Sequence, residues 1–138
     1  PTAPPPVYAE IAAERVGRPP ALLAEFPIIH GHSSYFQDQT YMYYSVFHGQ
    51  RLVNGYSGFF PESYLQFELF TRGLPDARAM TMLRERGVEY VVLHGERMEA
   101  HVYARLVDEV ERCACGLTLV GRSPWQGREV RAYRVESR

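Results

Sequence analysis

Histidine is the side chain best suited to proton transfer near neutral pH, and its placement in this chain suggests two kinds of chemistry. His30 and His32 lie two apart in the loop sequence HGHSS, a spacing that can turn two imidazoles to one side. Asp38 or His48 could complete a metal site with them. No H-E-x-x-H pattern or nearby cysteine pair reinforces this, so exposed loop histidines are expected and no metal is assigned. His94 closes the run VEYVVLH. Ligands of open α/β sheets gather at the carboxyl ends of strands, which makes His94 a candidate general base. The plainer reading is a strand-end residue bonded to backbone. Glu25 interrupts an apolar run. A buried, unpaired carboxylate is costly, so an arginine partner or an edge position is expected for it.

The stretch from Tyr35 to Pro61 is the densest in aromatic and turn residues. It holds Tyr35, Tyr41, Tyr43, Tyr44 and Tyr56 with Phe36, Phe47, Phe59 and Phe60. On a helix, Tyr41, Tyr44 and His48 share a side. The Asn54-Gly55 turn would bring Arg51, Asn54 and Tyr56 back toward them. Tyrosine combines a flat apolar face with a hydroxyl. These six residues therefore form a candidate binding shelf for a sugar or a polar lipid head group. The competing reading is an aromatic core whose hydroxyls reach the rim. Gly55-Tyr56-Ser57-Gly58 is not a nucleophile elbow, because its second glycine directly follows the serine. With no G-x-G-x-x-G and no Walker loop, no phosphate cradle and no cofactor are expected. Cys113 and Cys115 are too close in sequence for a disulfide of ordinary geometry, so small, partly buried thiols at a helix end are expected.

The elements that must position these groups can be read in order. PTAPPP is an extended, stiff leader, read as a linker over residues 1–6. A helix is predicted from Val7 to about Arg15, with Pro6 able to take its first turn. Leu22 to Phe26 reads as a buried strand. A helix follows over about Asp38 to His48, with Ser34 and Gln37 matching a capping box upstream. Arg51 to Val53 is a short extended piece. Glu62–Arg72 and Asp76–Arg86 read as helices, the first with Tyr64, Leu65, Phe67, Leu69 and Phe70 inward. Val88–His94 is the clearest strand. Glu99–Cys113 is amphipathic, with Val102, Tyr103, Leu106, Val107 and Val110 as its stripe. Leu117–Gly121 and Val130–Val135 pair across a turn at SPWQG. Alternating strands and helices predict one layered α/β domain over residues 7–138, a mixed sheet flanked by helices and ending in a β-hairpin.

Composition sets the outer limits. Hydrophobic residues make up 46% and charged residues 22%, which is globular rather than disordered. The net charge of −1 gives no basis for a nucleic-acid partner. All 15 basic residues are arginine, as a GC-rich coding sequence would favour as readily as a binding role. No window approaches the roughly 18 apolar residues of a membrane span, and no signal peptide is evident. The chain starts at Pro1, as expected for a processed product or a piece of something longer.

The segments VYAEIAA, LLAEFPI, YMYYSVFHGQRLVNGYSGFFPESY and LRERGVEYVVLH occur in this order from Val7 to His94. Together they resemble the C-terminal soluble region of bacterial multi-spanning membrane proteins of the GT-C glycosyltransferase type, most specifically over Tyr41–Pro61. The resemblance implies a domain on the extracytoplasmic (periplasmic) face of the inner membrane, after the last span. It implies the membrane-embedded remainder of the same polypeptide as partner, and a glycan or polyprenyl-phosphate sugar as ligand. In that family the catalytic carboxylate belongs to a loop between N-terminal spans. No matching loop occurs here, so no catalytic residue carries over. The expected function is an accessory domain that is not catalytic alone. The alternatives are a stand-alone α/β enzyme with His48 or His94 as base, and a protein-interaction module docking through the aromatic shelf.

Overall fold

The computed structural model describes residues 3–28, 32–53 and 62–137. Its order is α1 (Val7–Glu14), β1 (Leu22–Phe26), α2 (His32–His48), β2 (Arg51–Leu52), α3 (Glu62–Thr71), α4 (Ala77–Glu85) and β3 (Tyr90–His94). A 3-10 turn (Gly95–Arg97) then leads to α5 (Ala100–Arg112), β4 (Leu117–Trp125) and β5 (Arg128–Val135). The five strands form one sheet in the order β2-β1-β3-β5-β4. β1 runs parallel to β2 and β3, and β5 runs antiparallel to β3 and β4. The expected mixed sheet flanked by helices, with its C-terminal hairpin, is the fold observed.

Alternation along the strands sorts the core into two layers. Leu23 on β1, Tyr90 and Val92 on β3, and Val130 and Ala132 on β5 pack with Val7, Tyr8 and Ile11 of α1 and Tyr44 of α2. Ala24, Phe26, Val91 and Leu93 face the other way. They meet Phe67 of α3, Met80 and Leu83 of α4, and Tyr103 and Val110 of α5. β3 is buried along its whole length because helices cover both of its faces. α4 begins where Asp76 accepts a hydrogen bond from the Ala79 amide at 2.8 Å, an N-cap of the expected kind.

Four local expectations change. α2 begins at His32, ahead of the proposed capping box. Neither proline nor glycine interrupts the chain from His32 to His48, so nothing stops the helix earlier. Leu69 of α3 is 50% exposed, because Phe67, Glu68 and Thr71 supply the buried face instead. Ser123, Pro124 and Trp125 belong to β4 rather than to a turn, paired with Val130, Glu129 and Arg128. Pro124 is tolerated there because β4 is an edge strand. The hairpin turns at Gln126-Gly127 alone, where both φ angles are positive (51° and 78°), as a two-residue hairpin whose twist matches the sheet requires.

Cys113 and Cys115 form a disulfide, against the expectation from their spacing. Ala114 between them takes a left-handed φ of 48°. This folds the chain so that the two Cα atoms lie 5.0 Å apart, inside the range a disulfide accepts.

Candidate functional site

β1 hands the chain to β2 on one side, while β3 sits on its other side. Adjacent parallel strands whose connections leave in opposite directions open a crevice at their carboxyl ends, the usual ligand position in such sheets. Glu25 of β1 and His94 of β3 stand at that point. Both point to the α1/α2 face, in phase with Leu23 and with Tyr90 and Val92.

Both side chains are 0% exposed, and His94 Nε2 lies 2.7 Å from Glu25 Oε1. The Tyr8 hydroxyl of α1 donates to the same carboxylate oxygen and lies 3.5 Å from His94 Nε2. On the other side of the ring, Nδ1 faces Glu96 Oε2 at 3.4 Å, and Arg97 Nε approaches that oxygen at 3.4 Å. An imidazolium here donates to Glu25 and points its second N–H at Glu96. Burial by itself would keep the ring neutral. The hydrogen bonds and charges of Glu25 and Glu96 outweigh burial, and the His94 pKa is raised above its ordinary value. Burial, and then the Glu25 charge, push the Tyr8 phenol far upward, so it remains a donor.

α2 covers this cluster. Tyr41 stacks on His94 with ring centroids 4.8 Å apart, and its hydroxyl donates to the Pro27 carbonyl at 3.1 Å. Tyr44 lies over the same imidazole at 6.3 Å. His48 stacks on Tyr8 at 4.4 Å, and its Nδ1 accepts from the Gln50 amide at 2.9 Å. Burial lowers the His48 pKa, with Glu25 pulling weakly the other way. Arg97 rests over the Tyr41 ring, 5.8 Å from its centre.

The structure therefore brings Tyr41, Tyr44 and His48 together, but with Tyr41 and Tyr44 turned inward onto His94. Arg51 is exposed on β2, where its amide bonds the Ala21 carbonyl. Asn54, Tyr56, Ser57 and His30 lie outside the described residues. Glu25 is fully buried rather than at an exposed edge, and its partners include a tyrosine and a histidine, neither of them expected from the sequence. His94 is held by carboxylates, not by backbone alone. Sequence reading did not join Tyr8, Glu96 and Arg97 to His94. The available signal was the in-phase placement of Glu25 and His94 at the ends of two apolar strands. Among the described residues, no group of three or more histidine, cysteine or carboxylate side chains is placed to hold a metal ion. Nor is any described helix long and apolar enough to cross a membrane.

The outward face of α2 differs from its inward one. Met42, Tyr43, Val46 and Phe47 recur at three- and four-residue spacing and are exposed, Val46 to 80% and Phe47 to 54%. Tyr43 and Phe47 meet edge to face at 5.2 Å, which joins them into one patch.

No family model, no curated protein and no solved structure matches this chain.

Proposed function

We propose that this chain is an extracytoplasmic accessory domain of a multi-spanning glycosyltransferase-like membrane protein, not catalytic alone. It docks on the membrane-embedded remainder of that polypeptide through the outer face of α2. The observation that carries the docking is the exposed stripe Met42, Tyr43, Val46 and Phe47. Contiguous exposed apolar side chains mark interaction surfaces, and these lie in the segment that bears the family resemblance. The same face offers aromatic and aliphatic contact to a polyprenyl-phosphate sugar brought to the interface. Complete burial of His94 and Glu25 supports a structural use of that pair, since a general base must reach a substrate proton.

A photo-crosslinking residue at Val46, in membranes that carry the full gene product, tests the docking. Crosslinks to membrane-embedded segments of the same polypeptide are expected. Exclusive labelling by solvent reagents, or sugar transfer by the purified 138 residues, overturns the proposal.

One observation favours a second reading, a small α/β enzyme with His94 as base. The Glu25–His94 pair stands where the crossovers of a parallel sheet diverge, the usual ligand position. On that reading the isolated chain turns over a substrate, and His94→Gln abolishes turnover without unfolding the protein.

A further inference from the structure

The Cys113–Cys115 bridge differs from a structural disulfide in three respects. It closes a ring of three consecutive residues, so it ties together no distant parts of the chain and constrains the unfolded state little. Ala114 inside the ring is held at φ 48°, a left-handed conformation that an L-residue other than glycine, asparagine or aspartate seldom adopts unless forced. Cys113 is exposed at the C-terminal end of α5 and lines an open cleft of about 640 Å³ with Gly73, Asp76, Arg105, Glu109 and Arg112. Exposed bridges that add little to the fold are the exchangeable ones.

We propose that Cys113–Cys115 is a thiol–disulfide exchange site whose ligand is a thiol presented from the cleft beside α5. An incoming thiolate attacks the exposed Cys113 sulfur. A new S–S bond forms between the incoming sulfur and Cys113 as the Cys113–Cys115 bond breaks, and Cys115 leaves as a thiolate that takes a proton from solvent. A second thiol then releases the first as a disulfide. The two thiols are thereby oxidised by two electrons, and the bridge is reduced to a dithiol.

The surroundings fix the direction of attack. Cys115 is half-buried, and its carbonyl accepts a hydrogen bond from Arg84 at 2.8 Å, which holds a guanidinium beside the residue that must carry the leaving charge. Cys113 caps α5 at the negative end of the helix dipole, where a thiolate is disfavoured. Its sulfur lies 3.4 Å from the Val110 carbonyl, which can accept the proton of a Cys113 thiol. Opening the ring frees Ala114 from its left-handed conformation, while the β4–β5 ladder that follows keeps its own hydrogen bonds.

This inference concerns a different part of the molecule from the α2 face and does not depend on the docking proposal. The whole 138-residue chain is equilibrated in glutathione buffers of graded oxidised-to-reduced ratio, quenched by alkylation and weighed by mass spectrometry, with far-UV circular dichroism alongside. Conversion to the dithiol at ratios that leave a bridge between distant residues intact, with unchanged dichroism, is the expected result. Free thiols after air oxidation, resistance to excess reduced glutathione, or unfolding on reduction each overturn it. The oxidised chain is then exposed briefly to reduced glutathione, quenched with acid and mapped by peptide mass spectrometry. Glutathione should be found on Cys113 at least several-fold more often than on Cys115. Equal labelling of the two overturns the assignment of Cys113 as the attacked sulfur.

Discussion

His94 Nε2 and Glu25 Oε1 meet at 2.7 Å, across adjacent strands, with neither side chain exposed to solvent. Two buried ionisable groups are costly to desolvate, and their attraction offsets that cost only while both are present. Glu25→Gln and His94→Gln should each lower stability by about 3–5 kcal/mol, the usual loss when one member of a buried pair is removed. The double variant Glu25→Gln/His94→Gln should lose markedly less than the sum of the two. Urea denaturation of the four proteins checks this, and strict additivity would show that the pair is not coupled.

The two histidines of the cluster shift in opposite directions, and the signs set a pH profile. His94 faces Glu25, Glu96 and Tyr8, and its pKa is raised. It therefore binds its proton more tightly folded than unfolded. Its contribution is complete below the unfolded value of about 6.5 and is lost as pH rises through the raised value. Burial lowers the His48 pKa, so its contribution is lost as pH falls from about 6.5 through the lowered value. Urea midpoints should accordingly peak near the ordinary histidine pKa. Imidazole resonances should show His94 titrating above His48. The reverse order would contradict the ion pair.

The two faces of α2 should respond differently to substitution. Val46→Asp and Phe47→Ser change exposed positions and should alter stability by no more than about 0.5 kcal/mol. With the photo-crosslinking residue placed at Met42 instead, they should also abolish crosslinking to the membrane-embedded segments proposed above as partner. Tyr44→Ala removes a buried ring that lies over His94 and should cost about 3–5 kcal/mol, as aromatic truncations in cores do. Equal destabilisation on both faces, read by thermal melting, would contradict the description of Val46 and Phe47 as exposed.

Gly95 lets the turn after β3 approach β5. A Cβ on it would sit 2.6 Å from the Glu129 carbonyl oxygen and 3.0 Å from the Tyr103 ring. Gly95→Ala should cost about 1–3 kcal/mol through overpacking. The displacement should move Glu96 away from His94 and lower the His94 pKa relative to the parent protein. Wild-type stability together with an unchanged His94 titration would show that the close approach is not needed.

The fold was legible where local pattern and burial agree. VEYVVLH, the Val102–Val110 stripe and Asp76 ahead of its helix each state their role by period or by cap. The cluster was only half legible. Glu25 and His94 were each conspicuous, but the residues that complete their environment, Tyr8, Glu96 and Arg97, come from a helix and a turn whose placement follows from sheet order. No local spacing encodes that β1 and β3 are neighbours. The disulfide was misread because sequence distance was taken for backbone geometry, whereas one left-handed residue at Ala114 changes what two-residue spacing can reach. Pro124 was misread as a turn residue because an edge strand accepts a proline that an interior strand rejects.

The rims of the sheet also limit how this chain can meet others. At one side β2 is two residues long. At the other, β4 carries Pro124, an outward Arg122 and a register irregularity between Leu119 and Gly121. Short, charged, proline-bearing and bulged borders are poor templates for an added strand. Among the described residues, neither border therefore favours strand-by-strand polymerisation or capture of an extended peptide.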